Sequence, residues 1–145
     1  MIQLKEIAKD NLDEVLALSV AEHQKSFVST VAASLAQAYV YKDTAFPFGI
    51  YAGDKPVGFI MLGYYESRKQ YTLWKFLIDK EQQGKGYGKE ALKQGIAYLK
   101  ERFDAKEIFT GVSLGNERAK HLYRSFGFVE TGLIEDGMEE MRLCI

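Results

Sequence analysis

The chain carries the stretch Gln83-Gly84-Lys85-Gly86-Tyr87-Gly88 between a segment typical of a strand and a segment with helical periodicity. Three glycines within six residues let the backbone approach a ligand closely and turn several N–H groups toward one small space. A helix that starts there adds the positive end of its dipole. The stretch therefore predicts a phosphate-binding turn, and Lys85 and Lys89 would add positive charge beside it.

Two common phosphate-binding motifs do not fit this stretch. A P-loop ends in Gly-Lys-Ser/Thr, whereas Gly88-Lys89 is followed here by Glu90. A dinucleotide fingerprint has another glycine spacing and follows the first strand of a βαβ half, and a chain of 145 residues has no room for the second half. The turn must belong to a different kind of site.

The segments beside the turn predict a strand-turn-helix-strand unit. Residues Gln70–Ile78 are rich in aromatic and β-branched side chains, and Ala91–Phe103 places its apolar residues on one helical face. The strand at Glu107–Val112 closes the unit. Because such crossovers are nearly always right-handed and parallel, we expect this unit to be so as well.

The rest of the chain predicts a single α/β domain over residues 1–145, with one sheet flanked by helices and the order β-α-α-β-β-β-α-β-α-β-β. Asn11 and Asn116 are expected helix caps, and Gly53-Asp54-Lys55-Pro56 is an expected hairpin turn. Helical periodicity covers Leu12 to Ala21 and Ser29–Tyr41, and the helix after Asn116 has Ala119, Leu122, Tyr123 and Phe126 on its inner face. The remaining expected strands are Ile2–Leu4, Phe46–Tyr51, Val57–Tyr65, Phe128–Thr131 and Met138–Leu143.

A second motif lies about thirty residues after the glycine turn. The pattern Gln-x-x-Gly-x-Gly is followed by Asn116-Glu117-x-Ala119-x-x-Leu122-Tyr123-x-x-x-Gly127-Phe128. With both motifs in place, the chain from about Phe48 to its end resembles the GNAT superfamily of acetyl-CoA-dependent N-acetyltransferases. The resemblance implies a mixed, mostly antiparallel central sheet of six to seven strands with about four helices.

The resemblance also implies specific roles in acetyl-CoA binding. Backbone groups of the strand before the turn would pair with the pantetheine arm, and the turn would hold the pyrophosphate. Asn116 would contact the cofactor arm, although it could simply cap its helix. Tyr123 would protonate the departing thiolate, although it also falls on an apolar helix face. The full set implied for the cofactor is Phe76, Leu77, Ile78, Gln83, Gly84, Lys85, Gly86, Tyr87, Gly88, Lys89, Asn116 and Tyr123.

The chemistry requires a neutral amine, because an ammonium has no lone pair to attack a thioester. We expect direct attack on acetyl-CoA in a ternary complex, with no covalent enzyme intermediate and no metal. Many relatives carry a glutamate on the strand before the turn, but residues 71–78 contain no acid. Glu22 is therefore the candidate base and acceptor-binding residue, and His23 is its titratable neighbour.

Residues Val20–Val28 resemble the opening of the spermine/spermidine acetyltransferase branch. Acidic residues cluster near both chain ends, which suits a polycation, and Tyr64 and Trp74 could receive an ammonium chain by cation–π contact. Core packing would explain both aromatic residues equally well. The alternatives are another amine, on a peptide N-terminus, an amino acid or an aminoglycoside, or a non-catalytic acetyl-CoA-binding module.

Composition argues against several other classes of protein. A net charge of −1 argues against nucleic-acid binding, and the longest apolar run, Val57–Tyr65, is far shorter than the roughly 20 residues of a membrane helix. The one cysteine, Cys144, has no partner for an internal disulfide. We therefore expect a cytoplasmic protein that acts on a small molecule. Family members often form dimers, so a homodimer is a further expectation.

Overall fold

The computed structural model describes residues 1–145 and contains seven strands and four α-helices. The strands are β1 (Ile2–Glu6), β2 (Ala45–Ala52), β3 (Lys55–Tyr65), β4 (Gln70–Ile78), β5 (Glu107–Ser113), β6 (Val129–Glu135) and β7 (Met138–Cys144). The helices are α1 (Leu12–Leu16), α2 (Val31–Val40), α3 (Tyr87–Phe103) and α4 (Glu117–Ser125), and a 3-10 turn covers Glu22–Gln24. No helix combines the length and the apolar composition needed to cross a membrane.

All seven strands belong to one sheet in the order β1-β2-β3-β4-β5-β7-β6. Every neighbouring pair is antiparallel except β4 and β5, which are parallel and joined through α3. The predicted fold class and the parallel pair are thus confirmed. The sequence did not predict that β7 would lie between β5 and β6.

The sheet buries apolar residues on both faces. Alternation along β3 sends Ile60 and Leu62 into the cluster under α3, and Phe59 and Met61 into the cluster under α1 and α2. All four are 0–1% exposed. Burial on two faces explains why Val57–Tyr65 is an almost continuous apolar run rather than an alternating one.

The first helix is shorter than its apolar periodicity predicted. It ends at Leu16 instead of continuing to Ala21, because the chain is then drawn to the loop after β4. There the Ser19 amide donates to Asp79 Oδ1 at 2.9 Å, and the Lys80 amide donates to the Ser19 carbonyl at 2.8 Å. These tertiary hydrogen bonds override the local helical preference.

The ends of the helices and strands differ from the expectations in one cap, at Asn11, and agree in another, at Asn116. The Asn11 side chain does not cap α1; its Oδ1 accepts from the Ala8 amide at 2.7 Å. Pro47 lies inside β2, just beyond the stretch that pairs with β1, where the sheet has no neighbour that needs its missing N–H. The cap expected at Asn116 is confirmed, since its side chain accepts from the Ala119 amide at 3.3 Å.

Gly58 gives a stability test of the β3–β4 contact. A Cβ atom there would lie 2.4 Å from the Leu77 carbonyl oxygen, so Gly58→Ala should lower the free energy of unfolding by about 1–3 kcal/mol. The control is Gly111→Ala in β5, where the nearest atom is the flexible Met138 methyl carbon at 3.4 Å. We expect that control to stay within about 0.5 kcal/mol. Equal urea midpoints for the two variants would contradict this packing.

Candidate active site

Strands β4 and β5 pair over only two residue positions. Thr72 pairs with Phe109 and Leu73 with Thr110, and beyond these positions the two strands separate. The Thr110 hydroxyl donates to the Leu73 carbonyl at 3.1 Å, at the point where the separation begins. A cavity of about 990 Å³ opens between the separated ends, lined by residues of both strands, α3 and α4.

A bulge in β4 directs side chains toward this cavity. Leu73 pairs with Leu62 and Lys75 with Met61, so Trp74 is an extra residue with no partner on β3. Bulges bend a strand and re-aim its side chains, often beside active sites. Trp74 and Lys75 both line the cavity as a result.

The glycine turn forms one end of the cavity. Gly84 and Gly86 have φ of +79° and +83°, which other residues adopt at a cost of about 1–2 kcal/mol each, and α3 begins directly afterwards at Tyr87. Gly88 lets α3 pack near Phe76 and Ile78 of β4. The turn and the first N–H groups of α3 therefore have a conformation suited to an anion, and the phosphate-binding role of the turn stays a prediction.

Gln83 anchors the turn to three other parts of the chain. Its Nε2 donates to the Ile78 carbonyl at 3.0 Å and to Gln24 Oε1 at 2.9 Å. Its Oε1 accepts from Gln24 Nε2 at 3.1 Å and from Arg118 at 2.9 Å. This network joins β4, the 3-10 turn and α4, so the position of the phosphate site is coupled to the wall on the α1–α2 side.

Tyr123 on α4 lines the cavity and is only 6% exposed. Its ring packs against Phe128 at 5.6 Å between ring centroids. Burial raises the pKa of Tyr123 to about 12, and the Thr110 hydroxyl beside it acts in the opposite direction. The phenol thus stays protonated at neutral pH and can donate a proton to an anion that forms in the cavity.

The charged side chains of the cavity wall are mostly basic. Lys89 and Arg118 lie toward the glycine turn, Lys75 lies on β4, and Asp136 is the one carboxylate. Asn116, the cap of α4, also lines the wall. No three His, Cys, Asp or Glu side chains converge in a way that would hold a metal ion.

These residues fit acetyl-CoA. The glycine turn and the N-terminus of α3, with Lys89 and Arg118 nearby, suit a pyrophosphate. The separated edge of β4 over Phe76–Ile78 has no β5 partner, so the backbone groups on that side can pair with an extended amide-containing arm. Tyr123 lies on the same cavity wall as this free edge.

The structure brings most of the predicted site residues together, but four of them lie elsewhere. Eleven of the twelve residues implied for the cofactor line the cavity, as does Trp74; Lys85 does not, and its ammonium donates to Gln82 at 3.1 Å. Tyr64 packs against Tyr71, with 4.8 Å between ring centroids, outside the cavity wall. Its expected contact with an acceptor therefore has no support from the geometry.

Glu22 and His23 also lie outside the cavity wall. The Glu22 side chain is 88% exposed and accepts from Lys25 Nζ at 2.7 Å. That hydrogen bond and the Lys25 charge lower the pKa of the Glu22 carboxyl, which makes it a weaker base. The geometry thus argues against the expectation that Glu22 removes the proton of the acceptor.

Sequence reasoning overlooked several residues of the cavity wall, namely Gln24, Ser29, Lys75, Thr110, Arg118 and Asp136. Lys75 had a visible signal, since it is the one charged residue in an otherwise apolar and aromatic strand. The others are brought to the wall by tertiary contacts between distant parts of the chain.

Residues 6–128 match the acetyltransferase (GNAT) family. The chain belongs to this family. It is similar to the probable spermine N(1)-acetyltransferase of Bacillus subtilis subsp. natto (strain BEST195) and to the spermine/spermidine N(1)-acetyltransferase of Bacillus subtilis (strain 168). Each is 34% identical over 149 residues, which cover 97% of this chain and 95% of the relative.

Solved structures share the fold at lower identity. A spermidine N-acetyltransferase from Vibrio cholerae, in complex with CoA and spermine, has a TM-score of 0.79 and 19% identity, with 99% of this chain and 95% of that chain covered. An acetyltransferase from Thermus thermophilus has a TM-score of 0.80 and 19% identity, with 100% and 97% covered. This GNAT protein is an acetyl-CoA-dependent N-acetyltransferase that transfers the acetyl group to an amine.

The Gln83 network gives a direct test of the donor end. Gln83→Leu removes four hydrogen bonds that hold the glycine turn, and we expect the KM for acetyl-CoA to rise about tenfold with kcat little changed. Lys85→Met is the matched control, because Lys85 belongs to the same turn but lies outside the cavity wall. Steady-state kinetics with varied acetyl-CoA measures both. A larger effect from Lys85→Met would contradict the assignment.

Proposed function

We propose that this acetyltransferase acts on a polyamine, spermine or spermidine, through direct attack of a terminal amine in a ternary complex. The observation that carries the proposal is the single cavity that joins a phosphate-binding turn, the separated ends of β4 and β5, and Tyr123. The names of the two Bacillus subtilis relatives support the choice of acceptor. We also propose that residues 1–145 act as one acetyltransferase domain.

Residues of the separated strands would position the donor. Phe76, Leu77 and Ile78 pair with β3 on one side, and their outward backbone groups face the cavity where β5 has moved away. An extended amide chain laid along this edge satisfies those groups as an added strand would. Acetyl-CoA supplies the activated acetyl group, and holding it at a fixed position against the acceptor accounts for much of the acceleration.

Tyr123 would act as the general acid. When the C–S bond breaks, its electron pair stays on sulfur. Tyr123, with a pKa of about 12, is protonated at neutral pH, so its hydroxyl can donate a hydrogen bond to the sulfur as negative charge develops there. Because a thiol of pKa near 8.5 is more acidic than this phenol, the phenol proton moves to sulfur together with the return of a proton from the attacking nitrogen to the phenol.

The acceptor end contains features that suit a long cationic chain. Trp74 offers an aromatic face for an ammonium or its methylene groups. Asp136, in the turn between β6 and β7, is the one carboxylate on the cavity wall and has no salt bridge, whereas the nearby Glu135 and Glu139 are paired with Arg68 and Lys120. A distal ammonium of a polyamine would find its partner in Asp136.

A homodimer and a cytoplasmic location stay predictions. β6 is an edge strand in which every residue is exposed, including Val129 and Ile134, which are 54% and 57% exposed. An apolar edge of this kind supports association between subunits, since exposed strand edges pair readily with other chains. Light scattering of the purified protein measures the oligomeric state directly.

The acceptor is tested by measuring CoA thiol release from acetyl-CoA with spermidine, spermine, putrescine, a peptide with a free N-terminus, an amino acid and an aminoglycoside. We expect spermine or spermidine to give a kcat/KM at least about tenfold above the other acceptors, which corresponds to one added ionic contact. Turnover with the peptide, the amino acid or the aminoglycoside alone would overturn the polyamine proposal and retain the family activity. Binding of acetyl-CoA without turnover on any acceptor would favour a non-catalytic role.

Tyr123→Phe tests the proton donor. The phenyl ring keeps the packing against Phe128, so acetyl-CoA binding should persist while kcat falls about 100-fold, as expected when a general acid is lost. Because the pKa of Tyr123 is about 12, the wild-type kcat should show no loss from phenol ionisation up to about pH 10. The matched control is Tyr98→Phe on α3, outside this cavity. An unchanged kcat in Tyr123→Phe would reassign Tyr123 to packing.

A further inference from the structure

Lys75 is a partly buried cation on the wall of the active-site cavity. It follows the bulged residue Trp74 on β4, and its Nζ donates to Ser29 Oγ at 2.9 Å. It takes part in no salt bridge, and burial alone lowers the pKa of its ammonium. A charge without a counterion at this depth is costly to maintain, which suggests that it has a task in the site.

Lys75 and Ser29 join β4 to the segment between the 3-10 turn and α2 across the cavity wall. We assign this part of the wall to the acceptor. Phe76 to Ile78, the next residues of β4, form the free edge proposed for the donor. Any amine that approaches a thioester held on that edge from the α1–α2 side passes close to the Lys75 ammonium.

The acceptor amine arrives as an ammonium and must become neutral before it attacks. The cavity wall holds no glutamate, and its one aspartate lies in the β6–β7 turn. Its one histidine, His121, lies on α4 and not on β4 with Lys75, and Glu22 is exposed outside the wall. No carboxylate is therefore placed beside Lys75 to take that proton. The loss of a proton by the acceptor ammonium therefore needs a physical cause other than a carboxylate base beside Lys75.

We propose that the positive charge of Lys75 favours this loss of the proton. It excludes the ammonium form of the acceptor from the reacting position, so that the bound amine is neutral. The inference rests on the proposed transfer to an amine. The neutral amine and the ammonium form of the acceptor compete for the reacting position. A fixed cation such as the Lys75 ammonium raises the free energy of the bound ammonium form only. Lys75 thus acts as a specificity and positioning residue for the reactive form of the substrate, not as a nucleophile or a base.

The proton and electron balance of the transfer is complete without a base on the strand. The acceptor ammonium releases one proton to solvent as it enters beside Lys75. The neutral nitrogen forms a bond to the acetyl carbonyl carbon, and the C–S bond breaks with its electron pair on sulfur. The sulfur takes a proton from Tyr123, and the phenol recovers one from the acetylated nitrogen. The products are the N-acetylamine, CoA thiol and one proton in solvent.

This role predicts an unusual kinetic pattern for Lys75→Met. Without the cation, the ammonium form binds unproductively, so both kcat and the KM for the acceptor should fall at pH 7.5 and kcat/KM should not decrease. The acid limb of the kcat–pH profile reports the ionisation of the bound acceptor, and it should move upward by about one to two pH units. Near pH 10 the kcat of the variant should approach that of the wild type.

Two further variants isolate the charge. Lys75→Arg keeps a permanent positive charge and should hold the acid limb within about half a pH unit of the wild type. Lys55→Met removes an exposed lysine at the start of β3, away from the cavity, and should change neither kcat nor its pH profile. Urea midpoints for all three variants establish that each is folded under the assay conditions.

The outcomes separate the inference from the proposed acceptor. The assay uses whichever amine gives the highest turnover with the wild type, so failure of spermine and spermidine leaves this test in force. A loss of kcat in Lys75→Met at every pH, with the acid limb unmoved and KM unchanged or raised, would overturn the inference and make Lys75 structural. A Lys75→Arg profile that matches Lys75→Met would also overturn it, because charge alone would then be insufficient.

Discussion

The separation of β4 from β5 after Leu73 is the constraint on which the rest of the site depends. A sheet that opens leaves backbone N–H and C=O groups without partners, and proteins rarely tolerate this inside a packed fold. Here the other edge of β4 is paired with the buried strand β3, and the Thr110–Leu73 hydrogen bond joins β4 to β5 where the opening begins, so the opening is held in place rather than frayed. The free edge is an interaction surface for an extended chain, and acetyl-CoA provides one.

Each end of the opening has its own chemistry. The glycine turn and the start of α3 carry N–H groups and positive charge that suit phosphates, and Gln83 fixes that turn to β4 and to the 3-10 turn at Glu22–Gln24. Tyr123 is buried in the cavity wall, where we propose that it donates a proton to the departing sulfur. The β4 bulge places Trp74 and Lys75 on the remaining side. The cavity wall thus carries a phenol, Tyr123, and an unpaired ammonium, Lys75, but no glutamate that could act as a base.

The sequence could predict the parts of this arrangement that have local signals. The glycine turn, the cap at Asn116 and the periodicity of α3 each depend on a few neighbouring residues, and the structure contains all three elements as expected. The predicted end of α1 was wrong because the Ser19 amide is held by Asp79, sixty residues away in the sequence. The placement of β7 inside the sheet and the bulge at Trp74 depend on strand register, which no local pattern specifies.

The same distinction applies to the candidate residues. The motif around Tyr123 predicts a place on the cavity wall, where the residue lies, whereas the sequence position of Glu22 does not show that its side chain is exposed beside Lys25. Gln24, two residues later, reaches the cavity because the 3-10 turn directs it toward Gln83. The role proposed for Lys75 could not be predicted from the sequence, because it depends on which groups surround its ammonium. That ammonium bonds to the Ser29 hydroxyl and has no carboxylate partner.

A crystal structure of the protein with bound CoA would show directly whether the donor occupies the opening between β4 and β5. We expect the pantetheine arm to lie along Phe76–Ile78 in that opening, with the sulfur within hydrogen-bonding reach of the Tyr123 hydroxyl and the pyrophosphate on the turn at 83–88. An arm bound outside that opening, or a sulfur remote from Tyr123, would contradict this expectation.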